Sequence, residues 1–206
     1  SNKEKKELID LANEAADRAR EAILPYFRQN IAVSNKDEHT FDPVTEADKA
    51  AENAIRKVIS LSRPHDGIWG EETGELASST GFRWVIDPID GTRSFISGTP
   101  TWGVLISLEQ IGSGPILGII DQPYIRERFI GGLGISEVRG PLGVRSLKAS
   151  ETQALSESKL FTTFPEIGTE KEKMGFDAVA REVKLVRYGL DCYAYALVAA
   201  GQVDLV

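Results

Sequence analysis

Over residues 3–27 apolar side chains recur at Leu8, Leu11, Ala12, Ala15, Ala19, Ala22, Ile23 and Phe27, three or four apart, a spacing that lines them along one face of a helix. The pattern predicts a long amphipathic helix, stopped or kinked near Pro25, where a backbone donor is missing. A polar run at residues 34–42 predicts a loop. The next helix is expected from Thr45, with Ala47, Ala50, Ala51, Ala54, Ile55 and Val58 on its core face. Thr45 is its N-cap candidate, and Asp48, three residues on, stands where a capping box has its acid. Residues 61–67 break it. The period then shortens to that of strands at Gly67–Gly70, 82–86, 102–109, 115–120 and 128–130, with hairpin-like spacing that predicts an antiparallel meander. Further on, strands are expected near 160–163 and 183–186, helices near 170–182 and 191–200, and a last strand-like run at 203–206. The chain reads as an N-terminal α+β lobe, residues 1–140, and a C-terminal α/β lobe, residues 141–206, without internal repeats.

Composition narrows the function. With 206 residues, 41% of them hydrophobic, the chain can bury a core of its own. Its 24 Lys and Arg against 31 Asp and Glu give a net charge of −7 with no basic stripe, which argues against nucleic acid as partner. An anionic substrate would be repelled unless bound cations reversed the local sign. A single cysteine, Cys192, excludes an intramolecular disulfide, and two histidines are too few for a Cys/His zinc site. No Gly-x-Ser-x-Gly segment is present, and neither His39 nor His65 has the setting of a nucleophilic triad. The N-terminus is charged and no apolar run is long enough to span a bilayer, so a reducing cytoplasm is the expected setting.

The segment Trp84-Val85-Ile86-Asp87-Pro88-Ile89-Asp90-Gly91-Thr92-Arg93-Ser94-Phe95 carries the chemistry. An apolar strand runs into two carboxylates separated by Pro and Ile, and a turn there would aim Asp87, Asp90 and the Ile89 carbonyl at one point. Hard oxygen donors of this kind suit Mg2+. Glu71 and Glu72 end an earlier strand-like run and would add oxygens, provided that they sit at a bend, because neighbours on a strand face opposite ways. Asp90-Gly91-Thr92 also places backbone N–H groups at a glycine turn opening a helix, a cradle for phosphate. A Thr92 hydroxyl bonded to Asp48, near a water held at Glu71, would orient that water for attack.

These segments, with Gly70-Glu71-Glu72 and Val44-Thr45-Glu46-Ala47-Asp48, resemble the inositol monophosphatase family of Mg2+-dependent phosphatases over residues 5–206. Residues 93–98, Asp121-Gln122-Pro123 and 189–195 are most similar to its histidinol-phosphatase branch. The resemblance implies a layered αβαβα sugar-phosphatase fold, two or three Mg2+ ions, a small phosphate monoester as substrate, and a homodimer. It also implies roles: Glu71, Asp87 and the Ile89 carbonyl on a first ion, Asp87 and Asp90 on a second, and Glu71 on a third. Glu72 would stand behind the ligands, Thr92 and Asp48 would assist the attacking water, and the Gly91 and Thr92 amides would hold the phosphate. The family has a further Asp in a Trp-Asp or Tyr-Asp segment beyond the region matching 191–201, and this sequence ends at Val206 before one occurs. The C-terminal part of the second lobe is therefore expected to be missing from this chain.

Plainer roles stand beside these. Asp191 is expected to cap the helix that follows it, with recognition of an amine or imidazole on histidinol phosphate as the sharper alternative. Lys36, Asp37 and Glu38 read as a solvated loop, Cys192 and the tryptophans Trp69, Trp84 and Trp102 as core, and residues 131–134 as turns. Inositol phosphate or another sugar phosphate is the competing substrate. A metal- and phosphoester-binding protein without activity is the competing class.

Overall fold

The computed structural model describes the chain except for residues 31, 36–42, 165 and 167. The expected Lys36–Glu38 loop and His39 therefore lie outside the described residues. Helix α1 (Asn2–Ile23) starts from a capping box between Ser1 and Glu4 and gives way to turns before Pro25. Its buried stripe is Leu8, Leu11, Ala12, Ala15, Ala16, Ala19 and Ile23. Strands β1 (Val33–Asn35) and β2 (Pro43–Thr45) pair antiparallel, so Ser34 and Asn35 extend into a strand where a loop was expected. Helix α2 (Glu46–Ser62) begins at Thr45 with the expected reciprocal box: Asp48 accepts from the Thr45 amide at 2.7 Å and from its hydroxyl at 2.6 Å.

Strands β3 (Gly67–Gly70), β4 (Gly74–Leu76) and β5 (Phe82–Asp90) follow. After the short helix α3 (Thr92–Ile96) come β6 (Gly103–Gln110), β7 (Gly114–Gln122), β8 (Glu127–Gly132), β9 (Ile135–Gly140) and β10 (Gly143–Ser146). They form one sheet in the order β10-β9-β8-β7-β6-β5-β3-β4. From β5 to β8 it is the expected antiparallel meander, which β9 and β10 extend beyond the strands that were expected, but β3 runs parallel to β5, from Gly67 beside Arg83 to Gly70 beside Ile86. Apolar alternation shows which residues face inward and is blind to strand direction. Strands β4 and β10 are exposed along their whole length, which removes the alternation that would have announced them. Leu133 and Gly134, both at positive φ, make the two-residue turn between β8 and β9, whereas Gly131 and Gly132 lie in β8 itself.

Helices α1 and α2 cover one face of this sheet, where Trp84, Ile86, Val104, Ile106, Leu108, Leu117 and Ile119 are buried beneath their alanine and isoleucine stripes. Arg20 of α1 and Arg128 of β8 both donate to the fully buried Asp121, at 2.8 and 2.7 Å, and Arg128 also donates to Asn13 and Asp17, which fastens α1 to the sheet. On the other face lies α5 (Cys192–Ala199), its Ala196 packed with Phe129 and Val138. Before it the chain forms a one-turn 3₁₀ helix (Leu155–Glu157), β11 (Lys159–Thr162), α4 (Glu170–Ala180) and β12 (Leu185–Tyr188), with β11 and β12 paired in parallel. The result is the layered α/β architecture that was expected. Two local expectations fail. Residues 203–206 form no strand beyond one bridge between Leu205 and Leu160. Trp69 is half exposed under the Arg83 guanidinium, because its place in β3 points it away from both helices, whereas Trp84 and Trp102 are buried.

Candidate active site

The acidic segment is the far end of β5, and a bulge makes it a site. Asp87 pairs with Leu105 and Asp90 with Gly103, so three steps along β5 match two along β6. On a regular strand residues 87 and 90 would point to opposite faces. The extra residue shifts the alternation, so the core-facing side chains run Trp84, Ile86, then Ile89, and both aspartates point to the face away from α1 and α2. The expected turn at Pro88 is thus a bulged strand, a position where the missing proline N–H is tolerated.

Glu71 reaches the same place along the neighbouring strand. Because β3 runs parallel to β5 with Gly70 beside Ile86, the next residue on each strand, Glu71 and Asp87, leaves the sheet at the same end. Glu71, Glu72 and Thr73 form the turn of the β3–β4 hairpin, the bend that two adjacent acids require. Burial, then the charges of Glu71 and Asp90, push the Asp87 carboxyl up to about 8, and it shares a hydrogen bond with Glu71. Its Oδ1 is buried without a hydrogen-bond partner. Burial also raises Asp90, against hydrogen bonds from Cys192. Asp87 borders a cleft of about 480 Å³ between the sheet and α5 that is otherwise lined chiefly by apolar side chains.

A hard cation answers each of these features, because it gives the orphaned Asp87 oxygen a partner, takes the place of the proton shared with Glu71 and offsets the repulsion. Among the described residues no three His, Cys, Asp and Glu side chains already close on one point. Glu71, Asp87 and Asp90 nonetheless stand at the same end of the sheet, with Asp87 hydrogen-bonded to Glu71.

Beyond β5 the chain turns at Gly91, whose φ of 83° is left-handed, into α3, and Phe95 anchors that helix in a ring cluster with Phe27 and Trp102. The Thr92 hydroxyl donates to the Ile89 carbonyl at 3.1 Å, where a bond to Asp48 was expected. Asp48 is buried in its capping box at the start of α2. Asp191 also departs from expectation. It precedes α5 but makes no side-chain cap, and accepts instead from Ser94 at 2.6 Å and Thr101 at 3.4 Å. The next amide, of Cys192, donates to Asp90 at 2.6 Å. Gly189, Leu190 and Asp191 all have positive φ, an uncommon backbone that brings the start of α5 against the site. Cys192 is buried core as expected, its thiol pushed well up by burial and by Asp90.

Sequence reasoning passed over Glu52, Arg56, Ser94 and Thr101. Glu52 had left a trace, as an acid on the inward stripe of α2 with Asp48, Ile55 and Ile59. Ser94 and Thr101 had left none, since their partner is 97 and 90 residues away.

The structure therefore defines a layered α/β protein with a cluster of acidic residues at a strand end beside a left-handed glycine turn. The chain belongs to the inositol monophosphatase family, whose sequence profile matches residues 4–206. That family consists of phosphate-monoester hydrolases, typically magnesium-dependent. The chain is 42% identical to a chloroplastic bifunctional phosphatase of Arabidopsis thaliana, over 95% of this chain and 56% of the relative. It is 38% identical to a histidinol-phosphatase of Chlorobaculum parvum, over 96% of this chain and 74% of the relative. An inositol monophosphatase from Zymomonas mobilis has the same fold, with a TM-score of 0.81 at 36% identity over 96% of this chain and 74% of that one. The chain thus spans little more than half of the Arabidopsis relative and about three-quarters of the other two.

Proposed function

We propose that this protein is a Mg2+-dependent phosphomonoesterase acting on L-histidinol phosphate. The observation that carries the reading is the β5 bulge, which turns Asp87 and Asp90 to one face beside Glu71 and leaves a buried Asp87 oxygen without a partner. Glu71, Asp87 and the Ile89 carbonyl would hold one ion and Asp87 and Asp90 a second, with Glu71 reaching a third and Glu72 standing behind. Bound there, Mg2+ supplies Lewis-acid stabilisation of the phosphoryl charge and a more acidic water. The Gly91 and Thr92 amides, at the left-handed turn that opens α3, would hold the phosphate oxygens. Thr92 gives its proton to the Ile89 carbonyl, so its oxygen lone pairs accept from the attacking water and orient it, with Asp48 at the start of α2 as the second assisting group. Attack is direct and in line, without a phosphoenzyme. A cytoplasmic homodimer of two lobes, divided near residue 140, belongs to the same reading.

Substrate choice rests on Asp191. Ser94 and Thr101 both donate to its Oδ2, which leaves Oδ1 to accept from a charged amine or imidazole. A neutral polyol makes no such demand. An inositol monophosphatase is also among the proteins this chain resembles, so inositol phosphate is the second reading. Phosphate release measured with and without Mg2+, on histidinol phosphate and myo-inositol monophosphate side by side, tests both. Metal-dependent turnover favouring histidinol phosphate is the expected result. Asp191→Asn should raise KM for that ester roughly tenfold or more while changing the inositol ester little, on the scale of a lost charge-assisted hydrogen bond. Equal effects on both esters would remove Asp191 from recognition. Mg2+ binding without turnover of either ester would favour the binding-protein reading.

A further inference from the structure

Two charged side chains of α2 hold the turn that carries Glu71. Glu52 is completely buried, and its carboxylate accepts from the Glu72 amide at 2.7 Å, the Thr73 amide at 3.1 Å and the Thr73 hydroxyl. One helical turn on, Arg56 donates from Nε to Glu52 at 2.8 Å and from its terminal nitrogen to the Gly74 carbonyl. Together the pair meets two amides, one hydroxyl and one carbonyl of the hairpin turn. The Glu52 carboxylate also lies against Gly70, where a Cβ would come within 2.2 to 2.7 Å of it, so β3 approaches α2 as closely as its backbone allows.

A buried acid is costly unless fully bonded, and a hairpin turn can satisfy its own backbone without one. The cost has a purpose if the turn must be held where it would not stay by itself. Glu71 lies in the three-residue turn between Gly70 and Gly74, and its place beside Asp87 depends on where that turn is held. We infer that Glu52 and Arg56 are positioning residues that hold the Glu71–Glu72–Thr73 turn at the end of the sheet beside Asp87 and so preorganise the cation site. Neither touches the ion or the substrate. They act through the backbone that follows Glu71, at Glu72, Thr73 and Gly74. This role rests on the metal-site reading above.

The test compares the parent chain with Glu52→Gln, Arg56→Gln and Thr73→Val. Three quantities are measured: amide exchange at Glu72 and Thr73, the Mg2+ concentration giving half of the maximal thermal shift, and KM at saturating Mg2+. Faster exchange at those two amides, with half-saturating Mg2+ raised about 10–100-fold, is the result expected when a group supporting a metal ligand is removed. Thr73→Val removes one bond of the set and should stand at or below the lower end, and KM at saturating Mg2+ should stay near the parent value for all three. Faster exchange with unchanged half-saturating Mg2+ would overturn the inference, as would unfolding of both milder variants, Arg56→Gln and Thr73→Val, which would reduce the pair to packing. Failure of the metal-site reading is separate and visible in the parent alone, as a melting temperature that does not respond to Mg2+.

Discussion

Replacing Asp87 by Asn is expected to raise the melting temperature of the metal-free protein and to erase the further rise that Mg2+ gives the parent. The Asp87 carboxyl is pushed to about 8 from 3.8, first by burial and then by Glu71 and Asp90. Between those two values the folded chain binds a proton that the unfolded chain has released, so this group's contribution to stability falls as pH rises from about 4 to about 8 and is level beyond. An amide does not titrate, carries no charge into the cleft and can donate to Glu71. The variant should therefore gain most over the parent at pH 8 and above, by a few kcal/mol, at about 2–4 °C per kcal/mol for a chain of this size. Mg2+ reverses the comparison, because it stabilises only the chain that still has the carboxylate. Thermal unfolding at pH 5.5, 7 and 8.5, with EDTA and with Mg2+, reads both effects. An Asn variant that melts lower than the parent in EDTA and still responds to Mg2+ would contradict the strained, cation-adapted site.

Gly91→Ala should cut phosphate release by about 10²-fold, the scale of an ångström's misplacement at reacting groups. Two independent penalties meet at this residue. Its φ of 83° is strained for any side chain with a Cβ, at roughly 1–2 kcal/mol. The added Cβ would also lie 2.6 Å from the Asp191 carboxyl, so Asp191 must move and loosen its bonds from Ser94 and Thr101. Gly81→Ala separates the two. Its φ is 81°, but nothing lies within 4 Å of the new Cβ, so strain alone should lower the melting temperature by a few degrees and leave turnover near the parent value. Steady-state kinetics and thermal unfolding on both variants check this. Equal losses of turnover would mean that backbone strain, not the contact with Asp191, limits the site.

The acidic site was legible wherever its signal is local. Asp87, Asp90, Gly91 and Thr92 fall within six residues, and the Thr45–Asp48 box is a three-residue interval, so type and spacing alone place them. The clamp on the Glu71 turn was only half legible. Glu52 sits on the buried stripe of α2, but its partners Glu72 and Thr73 are 20 and 21 residues away, and no sequence interval marks them as a pair. Asp191 was read as a helix cap because helix starts favour Asp. Its oxygen went instead to Ser94 and Thr101, since left-handed backbone at Leu190 and Asp191 turns the side chain toward Gly91.

By itself the sequence determined the two covering helices with the Thr45–Asp48 cap and the stops near Pro25 and Leu61, the meander from β5 to β8, and the oxygen-rich segment at the end of β5. Each follows from periods of two and 3.6 residues, or from side-chain types a few residues apart, which act before distant parts of the chain meet. Only the tertiary structure decided that β3 runs parallel beside β5, that the strand bulges rather than turns at Pro88, and that α2 and the start of α5 close on the same end of the sheet. Those choices belong to long-range pairing and packing, where the free energy of a contact depends on what the remote partner presents, and that is why Glu71 stands opposite Asp87 and Asp191 opposite Gly91.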